Sequence, residues 1–477
     1  MRINLSMAII CMVNRTAVYG AGADHDLEHG NLSSCQMQPA DFKDYGGSFT
    51  WDSHSQAVLH SAFFWGGFLS GFPSGWLVDR YGSKKLILTS VLVSGLCSLV
   101  TPLVALEAGF YTLCFLRGLM GLAYGPLTPS IAGLLARWYP PSERGTALTI
   151  FTMGNQLAHI FGMPIAASLC HHQHIIGGWP AIFYCAGGFG LLWSLSWVLL
   201  VSESPQKCRW VGAEECAYIE GHTHMSLQCR KTATKAVPWA DMLCARPVWA
   251  VLVSNFAFQL FFVLLTVYLP TFFVDVLYLD LDSNGLYSAL PFVCLLCCKM
   301  AFGSCAHRLR KSSHLTHTFV SKLFNTIAGL GCSGCLLALC WSSCEAPAMA
   351  IALICLANAL GGGYTLGYYT SQMSLAPQYT GIISSLSRIT GQSASIMAPY
   401  LIGWLTQQGT AEEWHQVFVV TASVAVLACF FFLLAGSDKV QFWALPPSAK
   451  ISQFRNATNG SLKAADSSAS SRLKPPT

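Results

Sequence analysis

The chain has 477 residues, of which 53% are hydrophobic and 10% are charged, and its formal net charge is +5. Soluble domains carry about 25% charged residues, so this composition excludes an ordinary soluble fold of this length and indicates a membrane protein. No basic patch is interleaved with aromatic residues, so the sequence gives no reason to expect a nucleic-acid partner.

The first apolar segment, residues 3–13, is too short to span a bilayer, which takes roughly 20 residues of helix. It has two interpretations. It could be a signal peptide, with Arg2 in front of it and a cleavage site at 21–23, or the second half of a first helix whose beginning is absent. We favour the second because of the family resemblance described below.

Eleven longer apolar segments follow, and most of them suit a membrane-spanning helix. Backbone groups in lipid must be hydrogen-bonded internally, and the alternation typical of a transmembrane β-barrel is absent, so we predict an all-α fold. The segments are 56–78, 86–106, 110–135, 146–169, 179–200, 248–274, 286–306, 319–341, 347–370, 381–404 and 414–435.

The polar stretch 201–246 divides the apolar segments into six and six, counting the incomplete first one. The sequence therefore predicts four regions. They are an N-terminal helix bundle (1–200), a cytoplasmic central linker (201–246), a C-terminal helix bundle (247–436) and a disordered cytoplasmic tail (437–477).

Lysine and arginine are distributed asymmetrically between the gaps. Twenty of the 27 lie in alternate gaps and in the tail, whereas the intervening gaps hold only Arg15 and Lys43. Cytoplasmic loops carry the Lys/Arg excess, so we predict a cytoplasmic C-terminus and a loop at 14–53 on the other side. That loop contains two N-glycosylation triplets, at Asn14 and Asn31, and Asn31 is the better candidate because it lies further from the membrane.

The gap after the second apolar segment, counting the short first one, reads GWLVDRYGSKK, residues 75–85. A glycine here would let helices approach closely, an acid would suit a helix N-terminus, and the basic cluster would stay cytoplasmic. A weaker copy of this motif follows the eighth segment at 303–308, with His307 where an acid is expected. We expect a conformational motif formed by Gly75, Asp79, Arg80, Gly82 and Lys84.

Residues 75–85 resemble the signature loop of the major facilitator superfamily, G-x-L-x-D-R-x-G-x-K-x. Other stretches resemble its anion–cation symporters: sialin, the vesicular glutamate transporters and the sodium/phosphate cotransporters. The resemblance implies twelve helices in two six-helix bundles, with the first helix incomplete here, and alternating access to a substrate near the bilayer midplane. The matching stretches are 2–9, 63–66, 138–144, 177–184, 268–271, 288–292, 376–381 and 440–444.

Arg117 lies within an apolar segment, and no Asp or Glu lies deep in any of these segments. A buried cation without an acidic partner is suited to bind an anion, although backbone carbonyls and water could satisfy it instead. The resemblance implies a substrate role for Arg117 and Arg2, and Arg388 resembles the phosphate-cotransporter branch. Phe258 replaces an arginine of the vesicular glutamate transporters. Lys299 has no family counterpart, and we expect its ammonium to snorkel to the cytoplasmic face.

The coupling ion, Na⁺ or H⁺, stays open. The resemblance places a carboxylate of the proton-coupled relatives at Tyr124 and an aspartate at Ser374, and both are absent here. His60 and His159 could carry protons instead, or could be neutral core histidines. We therefore hypothesise coupling to sodium or to membrane potential.

Twenty cysteines lie mostly in apolar segments, where cysteine behaves as a small apolar residue, so we expect no metal site and no cofactor. Cys35, Cys170 and Cys344 lie on the predicted non-cytoplasmic side, where a disulfide among them could form. An enzyme is not expected, because there is no intramembrane catalytic pair and no phosphate-binding GxxxxGK[ST] loop.

Taken together, these features indicate a multi-pass secondary active transporter of organic or inorganic anions. The partners that we expect are a small anion, a coupling cation and the lipid bilayer, with the protein monomeric. The alternative is a non-transporting sensor or scaffold with the same fold. Which anion is carried, and whether the host is the plasma membrane or a lysosomal or vesicular membrane, stays open.

Overall fold

The structure is a computed structural model that describes residues 2–18, 47–140, 143–172, 177–219, 221, 238–311, 315–341, 346–376 and 379–444. Within these ranges the chain is helical, and the only extended pairing is one bridge between Val13 and Phe49. The predicted all-α class is confirmed. We call 2–219 the N-terminal half and 238–444 the C-terminal half; the four domain boundaries given above stay a prediction.

Helices of the N-terminal half break where glycine or proline interrupts the hydrogen-bond ladder. Pro73 precedes the third helix, and Gly82 follows it with a φ of +85°, a conformation that favours glycine. A π-helical turn, Val104–Ala108, extends the fourth. The helices are α1 Asn4–Met12, α2 Ser53–Gly71, α3 Ser74–Tyr81, α4 Ser83–Leu103, α5 Phe110–Tyr124, α6 Leu127–Trp138, α7 Arg144–His171 and α8 Trp179–Leu200.

Helices of the C-terminal half are interrupted in the same way. A π-helical turn, Leu264–Tyr268, joins the second and third helices of this half. The helices are α9 Trp239–Cys244, α10 Arg246–Val263, α11 Leu269–Asp275, α12 Leu281–Lys311, α13 His317–Leu339, α14 Pro347–Gly361, α15 Gly363–Leu366, α16 Tyr368–Ser374, α17 Thr380–Leu405 and α18 Ala411–Ala435.

Grouped across their short breaks, the long helices of the described chain make six units in each half, as the resemblance implies. Within the part of the chain that the structure describes, eight stretches are long and apolar enough to cross a membrane. The units outside that set are α1, α2–α3, α7 and α17. Three of them line the seam between the halves, because α2 packs on α17 and α7 packs on α12. Their hydropathy is lower because polar side chains such as Ser61, Gln156 and His159 are buried in that seam.

The two ends of the bundle differ in charge. At the end that we call the basic end, the loop 79–85 meets Arg137 and Glu203. At the other, the far end, Asp275 closes α11 and Trp414 opens α18. The short helix α1 is buried among α7, α8 and α11.

Candidate functional site

Arg117 lies in α5 with a side chain that is almost wholly inside the protein: the residue is 2% exposed. Its Nε and Nη2 atoms have no hydrogen-bond partner among the described residues. The guanidinium carbon lies 5.6 Å from the centre of the Phe183 ring. Such a cation–π contact is worth about 0.5–2 kcal/mol, which does not offset the several kcal/mol that desolvating an ion costs. The site therefore has an uncompensated positive charge.

A small cavity adjoins this arginine at the seam. Its volume is about 20 Å³, enough for roughly one water molecule. Most of its wall belongs to the N-terminal half, and the π-helical turn between α10 and α11 closes it from the other side. Turns of this kind are frequent at functional sites. Polar groups in the lining are Arg2, Ser6, His60, Arg117 and Thr266.

Close packing of α2 on α5 brings His60 and Arg117 to one cavity. A Cβ atom at Gly66 would overlap the carbonyl oxygen of Gly118, and one at Gly121 would overlap that of Phe63. Only glycine permits this approach. The packing role that the sequence suggested for Gly75 is wrong, because a Cβ atom there meets nothing within 4 Å.

Arg2 and His60 line the cavity with Arg117, and the His60 ring lies 5.5 Å from that of Tyr268. The other candidates lie elsewhere along the seam. His159 stacks on Phe292 of α12, with ring centres 4.0 Å apart, and its Nε2 atom has no hydrogen-bond partner in the described part of the chain.

Arg388 and Tyr124 meet on the basic-end side of the cavity. The Arg388 Nη2 atom donates to the carbonyl oxygen of Gly125 at 2.5 Å, across the seam. The neighbouring Tyr124 ring packs 5.5 Å from Phe63. Among the described residues, Arg388 therefore bonds to a neutral group and not to a carboxylate.

Lys299 does not snorkel as expected. Its Nζ atom donates to the side-chain oxygen of Gln156 at 2.8 Å, in the amide orientation that also lets Gln156 donate to the Thr152 carbonyl at 2.6 Å. Gln156 belongs to the other half, so the ammonium points across the seam and not along α12 to the basic end. The sequence could not show this, because the two residues lie on different apolar segments.

The far end carries a buried ion pair between the halves. Arg15 pairs with Asp275, whose other oxygen accepts from Trp414 Nε1 at 3.2 Å. His171 and Asp282 join α7 to α12 nearby. Neither the Arg15–Asp275 pair nor the role of Trp414 was anticipated from the sequence.

Residues 32–399 match the family described as the Major Facilitator Superfamily. The chain belongs to this superfamily. Among its curated relatives are human sialin, the putative inorganic phosphate cotransporter of Drosophila melanogaster and vesicular glutamate transporter 3 of Danio rerio. Each is 29% identical to the chain, with 93%, 94% and 93% of this chain and 87%, 83% and 71% of the relative covered, respectively. The family resemblance is therefore confirmed.

Solved structures show the same major facilitator fold. A bacterial homologue of the human lysosomal transporter Spinster, in an inward-facing and occupied conformation, superposes with a TM-score of 0.64. The two chains are 15% identical, and 93% of this chain and 98% of that one are covered. At this identity the likeness concerns the fold alone.

Glu203 holds the signature loop of this major facilitator protein. Its oxygens accept from the backbone nitrogens of Ser83 at 2.9 Å and Lys84 at 2.7 Å, and it pairs with Arg137. Glu203 thus caps the N-terminus of α4. The helix-capping role suggested for Asp79 is wrong, because Asp79 is exposed inside α3. The sequence concealed this role because 120 residues separate Glu203 from Ser83.

Three other motif residues lie around that cap. Gly82 has a positive φ, and a Cβ atom there would lie 3.2 Å from a Glu203 oxygen. Arg80 is exposed over the Trp76 ring, and Lys84 Nζ donates to the Val198 carbonyl at 3.2 Å. The conformational role of the motif stays a prediction.

The structure describes only part of the predicted non-cytoplasmic loop at 14–53. The Asn14 side chain accepts from the Ala17 backbone at 2.9 Å, and Asn31 lies outside the described residues. Cys170 forms a disulfide with Cys11, a partner that the sequence did not suggest. Cys35 and Cys344 also lie outside the described residues.

Proposed function

We propose that this major facilitator protein is a secondary active transporter of a small anion, and that Arg117 binds the anion. The observation that carries the proposal is a fully buried guanidinium with unpartnered nitrogens beside a cavity at the seam. An anionic group supplies the charge that the protein does not. Relatives named as phosphate and glutamate transporters support an anionic cargo.

Contacts between the halves suggest how the anion reaches the cavity. The Arg15–Asp275 ion pair and the His171–Asp282 contact cross the seam at the far end, and contacts continue inward as far as Arg388. Nearer the basic end, the described polar contacts stay within one half, such as Glu203 with Ser83 and Asp438 with Ser321. We propose that this state opens toward the basic end and that rocking of the halves exposes Arg117 to each side in turn.

Counterflow in proteoliposomes tests the proposal. Wild type should exchange at least one labelled anion from a panel of phosphate, urate, sialic acid, aspartate, glutamate and nucleotides. Arg117→Ala should reduce uptake at least about 30-fold, since removing one partner of a buried charge pair costs about 2–5 kcal/mol. Arg117→Lys keeps the charge but loses the planar fork, so it should retain partial uptake.

Lys311→Ala is the control, because this basic residue is exposed at the basic end of α12 and lies outside the 303–308 stretch. It should transport like wild type. If Arg117→Ala transports anions as fast as wild type, the proposal is wrong. If the folded wild-type protein binds anions but does not transport them, a sensor is favoured.

We further propose that sodium or membrane potential drives transport. Tyr124 stands where proton-coupled relatives carry a carboxylate, and its neighbour is Arg388. Removing sodium or collapsing the potential should abolish accumulation. A protonophore at constant sodium and voltage should not; if it does, His60 beside Arg117 becomes the proton carrier to test by His60→Gln.

The chain is a multi-pass membrane protein, and we propose that its basic end and C-terminus face the cytoplasm. An epitope at the C-terminus should be detected only after permeabilising cells. Asn31→Gln should remove a glycan shift on gels. An epitope accessible on intact cells would reverse the proposed orientation.

A further inference from the structure

Helices α7 and α12 form an antiparallel pair across the seam. His171 pairs with Asp282 at the far end, and His159 stacks on Phe292 about three turns along. One further turn along α7, Gln156 accepts from Lys299. Lys299 lies seven residues, about two turns, beyond Phe292 on α12, so it lies in the same stripe of α12 that faces the N-terminal half.

Lys299 has a neutral partner in a place where a charge is costly. Within the described residues no carboxylate lies within 4.0 Å of its ammonium. Its side chain packs over Gly362, where an added Cβ atom would meet Lys299 Cγ at 3.3 Å. Gln156 is 3% exposed, so the contact is shielded from solvent on that side. A carboxylate or phosphate oxygen would be a stronger acceptor for the ammonium than this amide.

Helix geometry places Lys299 at the level of Arg388. From the far end, Lys299 lies about 27 Å along α12 and Arg388 about 25 Å along α17, at 1.5 Å per residue. Arg117 is only about 10 Å along α5. The two cations of the C-terminal half are therefore roughly 15 Å nearer the basic end than Arg117.

Both cations of this level contact neutral acceptors on the N-terminal half: the Gln156 amide and the Gly125 carbonyl. Each bond crosses the seam. An anion that accepts from Lys299 or from Arg388 would replace one of these links between the halves, so its binding would also help to free the halves to move. This couples occupancy to opening without a titrating carboxylate.

We propose that Lys299, with Arg388, forms a second anion-binding level between the Arg117 cavity and the basic end. The ligand is the same small carboxylate or phosphate anion that Arg117 binds, so the inference rests on the proposed function. Lys299 exchanges the Gln156 amide for an anion oxygen as the cargo passes.

Transport kinetics of Lys299→Gln test this level, with phosphate or glutamate as the probe, whichever wild type carries. We expect the KM to rise about tenfold with kcat changed less than about twofold, equal to about 1.4 kcal/mol of binding. Lys299→Arg should restore most of the affinity, because it keeps the positive charge. Lys322→Gln is the matched control, since this half-buried lysine donates to the Leu433 carbonyl at 2.7 Å within its own half. Its KM should equal that of wild type.

Two changes at Gln156 separate an anion role from a structural one. Gln156→Glu gives Lys299 a permanent carboxylate that competes with cargo, so the KM should rise while thermal stability holds or increases. Gln156→Leu removes the competing neutral acceptor, so the KM should fall. A merely structural lysine would leave the KM unchanged in both and lose stability only in Gln156→Leu.

The possible outcomes are distinct. If wild type carries the probe, Arg117→Ala abolishes flux and Lys299→Gln has the wild-type KM, the second level is rejected while the proposed function stands. If Lys299→Gln does not fold, Lys299→Arg and Gln156→Glu decide through their KM values. If wild type carries no anion of the panel, the proposed function and this inference fall together.

Discussion

Two buried arginines of the N-terminal half have opposite surroundings. Arg15 at the far end pairs with Asp275, which also accepts from Trp414. Arg117, in the cavity, has no carboxylate within ion-pair distance among the described residues, and two of its nitrogens have no partner. A protein carboxylate neutralises the charge of Arg15, whereas the charge of Arg117 is available to an anion from outside the protein.

The paired arginine stabilises the contact between the halves, whereas the unpaired arginine is available to bind an anion. Breaking a buried ion pair by removing one partner costs about 3–5 kcal/mol, so Arg15 and Asp275 stabilise contact between the halves at the far end. An unpaired buried cation raises the free energy of the protein without cargo, and an anion that binds relieves that cost. The predictions below convert one environment into the other, or remove the contacts that maintain them.

The largest effect on transport should come from giving Arg117 an internal partner. Cys114 lies three residues earlier on α5, where side chains are neighbours, and close enough to interact electrostatically with Arg117. Cys114→Asp should therefore pair with Arg117 and lower anion uptake about 100-fold, a change of about 2.7 kcal/mol. Cys114→Ser is the isosteric control and should transport normally. Normal uptake by folded Cys114→Asp would contradict the anion site.

Removing the charge at the far end should mainly affect stability. Asp275→Asn deprives Arg15 and Trp414 of a shared carboxylate, so we expect a loss of about 3 kcal/mol. Thermal unfolding in detergent measures it, with the exposed Asp280→Asn as control. If Asp275→Asn and Asp280→Asn unfold at the same temperature, the ion pair does not stabilise the contact between the halves at the far end.

At the basic end, Glu203→Gln should cost about 1–2 kcal/mol, because it loses the pair with Arg137 and weakens two hydrogen bonds to backbone nitrogens. Asp79→Asn, within the signature loop but exposed, should stay within about 0.5 kcal/mol. The unfolding midpoints of Glu203→Gln and Asp79→Asn measure this difference in stability. The reverse order would restore the helix-capping role to Asp79.

The smallest effect concerns Asp52, which caps α2 at the far end. A hydrogen bond from Ser55 lowers the pKa of this carboxyl below its usual value, and nearby His54 adds to the shift. A lowered pKa means that the charged cap stabilises the fold above about pH 4 and loses that effect as the pH falls further. Asp52→Asn should be less stable by roughly 0.3–1 kcal/mol at pH 7, and the gap should close in acid. If the difference in stability between wild type and Asp52→Asn does not change with pH, the carboxylate is not acting as a charged cap.

Some of the site could be predicted from particular residues. Arg117 was identifiable because a charge inside an apolar segment is rare and must be compensated. The signature loop was recognisable by its glycines and basic residues. Lys299 carried the same signal as Arg117, but its environment depends on Gln156, which lies on a different helix of the other half. Glu203 carried no signal, because one carboxylate in a polar linker is unremarkable until the loop it caps is known.

The sequence by itself determined the membrane class, the helical fold and the family, because segment length, charge bias and short motifs are local properties of the chain. Only the tertiary structure decided which buried charges are paired. Ion pairing depends on atoms a few ångströms apart that lie far apart along the chain, such as Arg15 and Asp275, 260 residues distant. Helix packing brings those atoms together, or leaves a charge such as Arg117 without a partner.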